Sequence, residues 1–279
     1  MLKRYYGPMM TTTLVLLLLS MLCSLMLGSV SLSISDTFNA LMGRASQSEL
    51  AHSIIWQIRL PRLLCAVLVG SGLAISGAIL QNASRNPLAD PYLFGLMAGA
   101  GLGATLVSVI LPPQLVSMAL GAFAGALFAV ALVFAVCAGQ QWRKVELTLL
   151  AGVAVSFMLS AISSFILYFA EPFAANRIMF WLMGSLSRTD WYSVLLLAPV
   201  TLLVLLLALA LRRPLDALLL SDESARTLGI NTAKLRLVLL LATALLTACI
   251  VSQCGGIAFV GLMIPHIVRH FFGVTANRL

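Results

Sequence analysis

Residues 212–236 read RRPLDALLLSDESARTLGINTAKLR, and this stretch decides what the rest of the chain can be. It carries eight charged side chains. At about 2.5–3.5 kcal/mol per charge at the centre of a bilayer, a spanning placement would cost roughly 20 kcal/mol or more, so the stretch must lie in water. Its punctuation predicts two short helices and a glycine turn. Ser221 is a helix N-cap with Asp222 and Glu223 in the first turn, Gly229 sits where a left-handed residue closes a helix, and Asn231 caps the next one. An ordinary solvated loop would carry the same charges. An apolar face made by Ala225, Leu228 and Ile230, which no lipid contact explains, favours instead a surface that something outside the membrane binds.

The flanking sequence is of the opposite kind. The chain has 279 residues, of which 61% are hydrophobic and only 9% charged. That balance excludes a soluble domain. Apolar runs near twenty residues recur along the length, which predicts an all-α integral membrane protein, a polytopic helical bundle rather than a barrel of short alternating strands. The net charge of +8 reports orientation in such a protein and does not point to a nucleic-acid partner. Five cysteines without a CxxC spacing read as small packing residues. The N-terminal run is too long for a cleaved signal and Cys23 follows Leu22, so it reads as an uncleaved first helix.

Eight runs are expected to span: 11–33, 61–82, 93–111, 115–138, 146–169, 191–211, 235–252 and 255–272. Between Glu171 and Asp190 the apolar interior is too short to span and predicts an interfacial or re-entrant helix. With the N-terminus inside, twelve of the 17 Lys and Arg residues fall on the cytoplasmic side, Arg212 to Arg236 among them. Gly95/Gly99/Gly103 and Gly121/Gly125 have the small-xxx-small spacing that lets helices approach closely in lipid. No acid or base sits well inside a run, so there is no evident proton relay. A faint echo, Ala78–Gln81 with Phe94–Met97 against Ile250–Gln253 with Phe259–Met263, is what an inverted repeat would produce.

Chemical motifs are few. The chain has no GxxxxGK[ST], HExxH or GxSxG, so if ATP drives it another subunit must hydrolyse the ATP. His266 and His270 are spaced i, i+4, but no carboxylate or cysteine stands near in sequence to complete a metal site, and neither a metal nor a cofactor is expected. Arg59 and Arg62 share one helical face at the outer end of the second run. They either snorkel at the interface or present forked guanidinium groups to carboxylates of a docking protein.

Taken together, Arg59-Leu-Pro-Arg62-Leu-Leu64, Gly77-Ala-Ile-Leu-Gln81, Asn86-Pro87-Leu-Ala-Asp90-Pro91, the Ala225/Leu228-Gly229 loop and Gly256-Ile-Ala-Phe-Val-Gly261-Leu-Met-Ile-Pro265-His266-Ile-Val-Arg269 resemble the FecCD-type permeases. These are membrane subunits of bacterial ABC importers for iron-siderophores, haem and vitamin B12, and the match runs in order along essentially the whole chain. The resemblance implies a single permease domain over residues 1–279 in the inner membrane, working with a second permease subunit, as a homodimer or heterodimer, two cytoplasmic ATPases and a periplasmic binding protein. It places the coupling contact on Leu215–Asn231, through Ser221, Asp222, Glu223, Ala225, Arg226, Leu228 and Gly229. It assigns binding-protein docking to Arg59 and Arg62, and gate packing to Asn86, Pro87, Asp90, Pro91, Gly261, Pro265 and His266. The family has ten helices per subunit, so two helices beyond Leu279 are expected to be missing from this chain. A secondary transporter or channel that needs no ATPase is the alternative, and association with an ATPase discriminates the two.

Overall fold

The computed structural model describes residues 6–43, 49–111, 117–137, 145–220 and 222–272. All regular elements among them are helical. In chain order they are α1 (Tyr6–Met26), α2 (Ile34–Leu41), α3 (Glu49–Ser53), a π-helical segment (Ile54–Arg59), α4 (Leu60–Ser84), a 3-10 turn (Pro91–Phe94), α5 (Leu96–Ile110), α6 (Met118–Cys137), α7 (Val145–Tyr168), α8 (Pro172–Leu182), α9 (Trp191–Ala210), α10 (Arg212–Leu220), α11 (Asp222–Thr227), α12 (Thr232–Cys254) and α13 (Val260–Phe272).

Six helices among the described residues are long and apolar enough to cross a membrane: Gly7–Met26, the continuous rod Glu49–Ser84, Met118–Cys137, Leu147–Tyr168, Trp191–Ala210 and Thr232–Cys254. The other two expected runs are shorter than their apolar sequence. Residues 93–111 yield only the 15-residue α5, because Pro91 opens a 3-10 turn that Gly95, at φ 75°, terminates in the left-handed region. Residues 255–272 yield the 13-residue α13. Gly255 at φ 69° and Phe259 at φ 68° bracket a non-helical lead-in.

The chain divides into two compact units. The first comprises Met1–Leu68 and Leu186–Leu196. Here α1 exposes most of its leucines, Leu14 and Leu16 at 55% and 61%, as a helix bathed in lipid does. Ser33 caps α2 by accepting from the Asp36 N–H at 3.0 Å. Two tryptophans fasten this unit. Trp56 Nε1 donates to the Ala40 carbonyl at 2.9 Å, Trp191 Nε1 donates to the Trp56 carbonyl at 2.8 Å, and their rings stack with centroids 6.3 Å apart. An apolar ring with one donor is suited to the border between lipid and water.

The second unit holds Val69–Ser185 and Leu197–Leu279. Its core joins α5, α6, α7 and α12 through small residues and valines such as Ala100, Ala126, Ala129 and Val133. The predicted small-residue seam is present. A Cβ on Gly99 or Gly103 would strike the carbonyl of Gly125 or Gly121, so only glycine admits this backbone approach. Gly95 is not part of that seam, since it caps the preceding turn. Cys65, Cys137, Cys249 and Cys254 are buried and Cys23 is exposed.

Candidate functional site

The polar stretch folds largely as its punctuation predicts. Two short helices form, α10 and α11, and the predicted N-cap Ser221 between them lies outside the described residues. At the end of α11 the chain closes with Gly229 N–H to Arg226 O at 2.9 Å and Ile230 N–H to Ala225 O at 3.1 Å. That is the paired closure for which a left-handed Gly229, φ 78°, is needed. Asn231 then accepts from the Lys234 N–H at 3.1 Å and starts α12.

The faces of α11 differ from expectation in two places. Ala225 is fully buried, so it anchors the helix to its own chain instead of offering an apolar surface. Asp222 also turns inward. Its carboxylate receives both terminal nitrogens of Arg236, Nη1 to Oδ2 at 2.9 Å and Nη2 to Oδ1 at 2.8 Å. Arg85 Nη2 joins it on Oδ1. What α11 presents outward is Glu223, Arg226 and Leu228, the last 67% exposed.

The clamp reaches further through the same two arginines. Arg236, only 6% exposed, also donates Nε to the Ala83 carbonyl at 3.1 Å, near the C-terminus of α4. Arg85, in the left-handed region at φ 52°, donates Nε to the Leu218 carbonyl of α10 at 2.7 Å. Burial, and after it the adjacent Arg236 charge, pushes the Arg85 pKa down. A cation at the end of a helix also meets the negative pole of its dipole, which favours Arg236 at Ala83.

Immediately before Ala83, at Gln81 and Asn82, α4 carries a second polar cluster. Gln81 Nε2 donates to the carbonyls of Gly261 and Leu262 at 3.3 Å each, while its Oε1 accepts from Arg269 Nη1 at 2.5 Å. Arg269 Nη2 reaches Asn82 Oδ1 at 3.2 Å. Above them the backbones meet directly, because a Cβ on Gly77 would overlap the Gly261 carbonyl oxygen. Gly261 is buried at this crossing, Pro265 is buried further along α13, and His266 and His270 are both exposed.

The NPLADP segment forms two nested turns. Asn86 Oδ1 accepts from the Leu88 N–H at 2.9 Å, with Pro87 exposed at the corner. Asp90 Oδ1 accepts from the Tyr92 N–H at 2.8 Å and so caps the 3-10 turn, whose first residue is Pro91. Burial raises the pKa of Asp90, and the Tyr92 N–H partly offsets this. Pro91 is buried, with its ring against Gly261, so this loop and the start of α13 pack as neighbours.

In the first unit the two arginines part company. Arg59 donates Nη1 to the Leu25 carbonyl at 2.5 Å and Nη2 to the Val30 carbonyl, closing the carbonyl end of α1 with its guanidinium packed against Gly28. Arg62 is exposed and donates Nη2 to the Ser187 carbonyl at 2.9 Å.

In the sequence Arg85 and Arg236 bear only on orientation, and Arg269 on orientation and on the end of the Gly256–Arg269 motif; their convergence on the end of α4 is visible only in the fold. The available signal was placement. Each stands in or just beside a long apolar helix in a chain with few charges, where an arginine needs polar partners.

The chain is 37% identical over 265 residues to the hemin transport system permease protein HmuU of Yersinia pestis, covering 92% of this chain and 78% of that protein. It is 40% identical over 268 residues to the vitamin B12 import system permease protein BtuC of Shigella boydii serotype 18, covering 95% and 78%. A solved structure of a metal-chelate type ABC transporter in an inward-facing conformation superposes with a TM-score of 0.84 at 30% identity, over 98% of this chain and 84% of that one. The family model for FecCD transport proteins matches residues 16–279. With its helices, its paired glycines and its clamped polar segment, the chain belongs to the FecCD transport family, the permease subunits of ABC importers.

Proposed function

We propose that this permease passes a metal chelate or corrinoid, haem, cobalamin or an iron-siderophore, across the bacterial inner membrane, and that ATPase closure on α11 drives the passage. The relatives named for hemin and vitamin B12 import support the cargo class. The single observation that carries the mechanism is the posture of α11. Asp222 and Ala225 hold it to its own chain from behind, while Glu223, Arg226 and Leu228 face outward. A short helix held on one side and bare on the other is suited to a rigid-body push from a soluble subunit.

In this reading residues 1–279 form one permease domain with a cytoplasmic N-terminus, a second permease subunit completes the pathway, and two ATPases contact Leu215–Asn231. The excess of Lys and Arg on one side of the bilayer supports the orientation. A periplasmic binding protein docks on the outer side of the membrane, where Arg62 offers an exposed guanidinium and Arg59 shapes the backbone beside it. Hydrolysis of ATP belongs to the ATPases, since this chain carries no phosphate-cradling loop.

The test is co-purification with the ATPase encoded beside the gene, followed by uptake of haem, cobalamin and ferric siderophores into proteoliposomes with the neighbouring binding protein. Co-elution and ATP-dependent uptake of one cargo are expected. No association, with uptake persisting after ATP depletion, would replace this reading with an ATP-independent carrier.

A further inference from the structure

Asp222 lies in the segment proposed above to meet an ATPase, yet its own contacts face away from any such partner. Its carboxylate is shared by two guanidinium groups, and each of those holds a backbone carbonyl of a different helix, Ala83 in α4 and Leu218 in α10. A single ion pair would fix one distance. This arrangement fixes the orientation of α11 as well, because the Arg236 fork engages both carboxylate oxygens in parallel. The next link is one residue away along α4, where Asn82, beside Ala83, accepts from Arg269 of α13, and Gln81 ties the same arginine to the Gly261 and Leu262 carbonyls.

From this geometry we infer that Asp222, Arg236 and Arg269 are positioning residues that carry displacement of α11 to the end of α4 and from there to α13. This rests on the reading of α11 as the ATPase contact and adds the route inward. Both arginines of the route bond to α4 through more than one nitrogen or by way of a carboxylate-fixed fork, so a tilt of α11 moves the α4 terminus instead of being absorbed by a rotating side chain. Arg85 serves as the second hold on Asp222 and is the more exposed of its two partners.

The experiment uses the permease with its ATPase and binding protein in proteoliposomes, reading ATPase co-elution, basal ATP hydrolysis and cargo moved per ATP. Asp222→Asn should lower cargo moved per ATP by about tenfold, with Asp222→Glu recovering part of it. Arg269→Gln, which leaves α11 and its clamp untouched, should lower the same ratio without changing co-elution. Should Asp222→Asn fail to fold, Arg269→Gln alone decides. Unchanged cargo per ATP in Arg269→Gln would overturn the route. Loss of ATPase co-elution in the wild-type complex would instead remove the reading on which it rests.

Discussion

Arg236 grips Asp222 with both ends of its guanidinium fork, 2.9 Å and 2.8 Å from the two carboxylate oxygens, while its third nitrogen holds the Ala83 carbonyl at 3.1 Å. A lysine has all its donors on one nitrogen and cannot reproduce the parallel fork on the carboxylate while also reaching Ala83. Arg236→Lys should therefore destabilise the protein by about 2 kcal/mol, between the cost of a lost charged hydrogen bond and that of a broken buried pair. Arg85→Lys, at a partner five times more exposed by side-chain area, should cost less than about 1 kcal/mol. Heat-induced unfolding in detergent checks the order, and equal losses would mean that the two arginines share the clamp evenly.

The outward face of α11 predicts a different phenotype. Glu223→Arg with Arg226→Glu alters only exposed side chains, so the change in unfolding midpoint should correspond to less than about 0.5 kcal/mol. Cargo uptake with the ATPase should nevertheless fall severalfold. Wild-type uptake by this double variant would remove the contact from α11.

The crossing of α4 and α13 gives the sharpest packing prediction. Gly77→Ala places a methyl group onto the Gly261 carbonyl, where neither backbone has a side chain that can yield. It should cost about 3 kcal/mol or more and reduce folded protein in membranes. Gly70→Ala on the same helix meets nothing within 4 Å and should be silent. Folded yield by fluorescence-detected size exclusion separates them.

Arg59→Ala strips donors from the Leu25 and Val30 carbonyls and should cost about 1–3 kcal/mol. Arg62→Ala loses a single exposed bond to Ser187 and should be nearly neutral for stability. It should weaken binding-protein docking, and more so at low salt. Docking indifferent to Arg62→Glu at low salt would return this residue to a purely structural role.

Asp190 supplies a pH test. Its carboxylate accepts from the Ser193 N–H and hydroxyl at 2.9 Å each, and the first of these leads the causes that hold its pKa below the usual carboxylate range. A group depressed in the folded state contributes stability that is present above its unfolded pKa, about 3.9, and lost as pH falls through the lower folded value. Asp190→Asn retains an acceptor for the cap but cannot titrate. Its unfolding midpoint should therefore fall less than that of wild type between pH 5 and pH 3, in measurements on the protein in detergent.

Much of this molecule was legible because the membrane makes apolar length informative. Six of the eight runs read as spans, the short α8 and the glycine seam follow from run length and spacing, whereas the turn at Pro91–Gly95 and the lead-in at Gly255–Phe259 that shorten the other two do not. Caps were legible for the same local reason, since Gly229 and Asn231 act within a few residues of themselves. Partners far apart in sequence were not. Asp222 reads as an N-terminal acid of an exposed helix until Arg85 and Arg236 are seen converging on it from 137 and 14 residues away. Arg59 and Arg62 read as a matched pair, yet local spacing cannot reveal that each closes a different carbonyl. Ala225 is too small for its sequence neighbours to show which way it faces.

The meeting of Gly77 with Gly261 also constrains how this protein can move. Two backbones in direct contact have no side chains between them to act as rollers, so this crossing is a weld and not a bearing. The Gln81 bonds to Gly261 and Leu262 lock the same joint one turn further on. The start of α13 must therefore follow α4, while the far end of α13 depends for its hold on Arg269 and its bonds to Gln81 and Asn82. The non-helical lead-in between Gly255 and Phe259 is held as closely, since a Cβ on Gly255 would strike the Trp181 carbonyl and Tyr92 Oη donates to the Ile257 carbonyl at 3.2 Å.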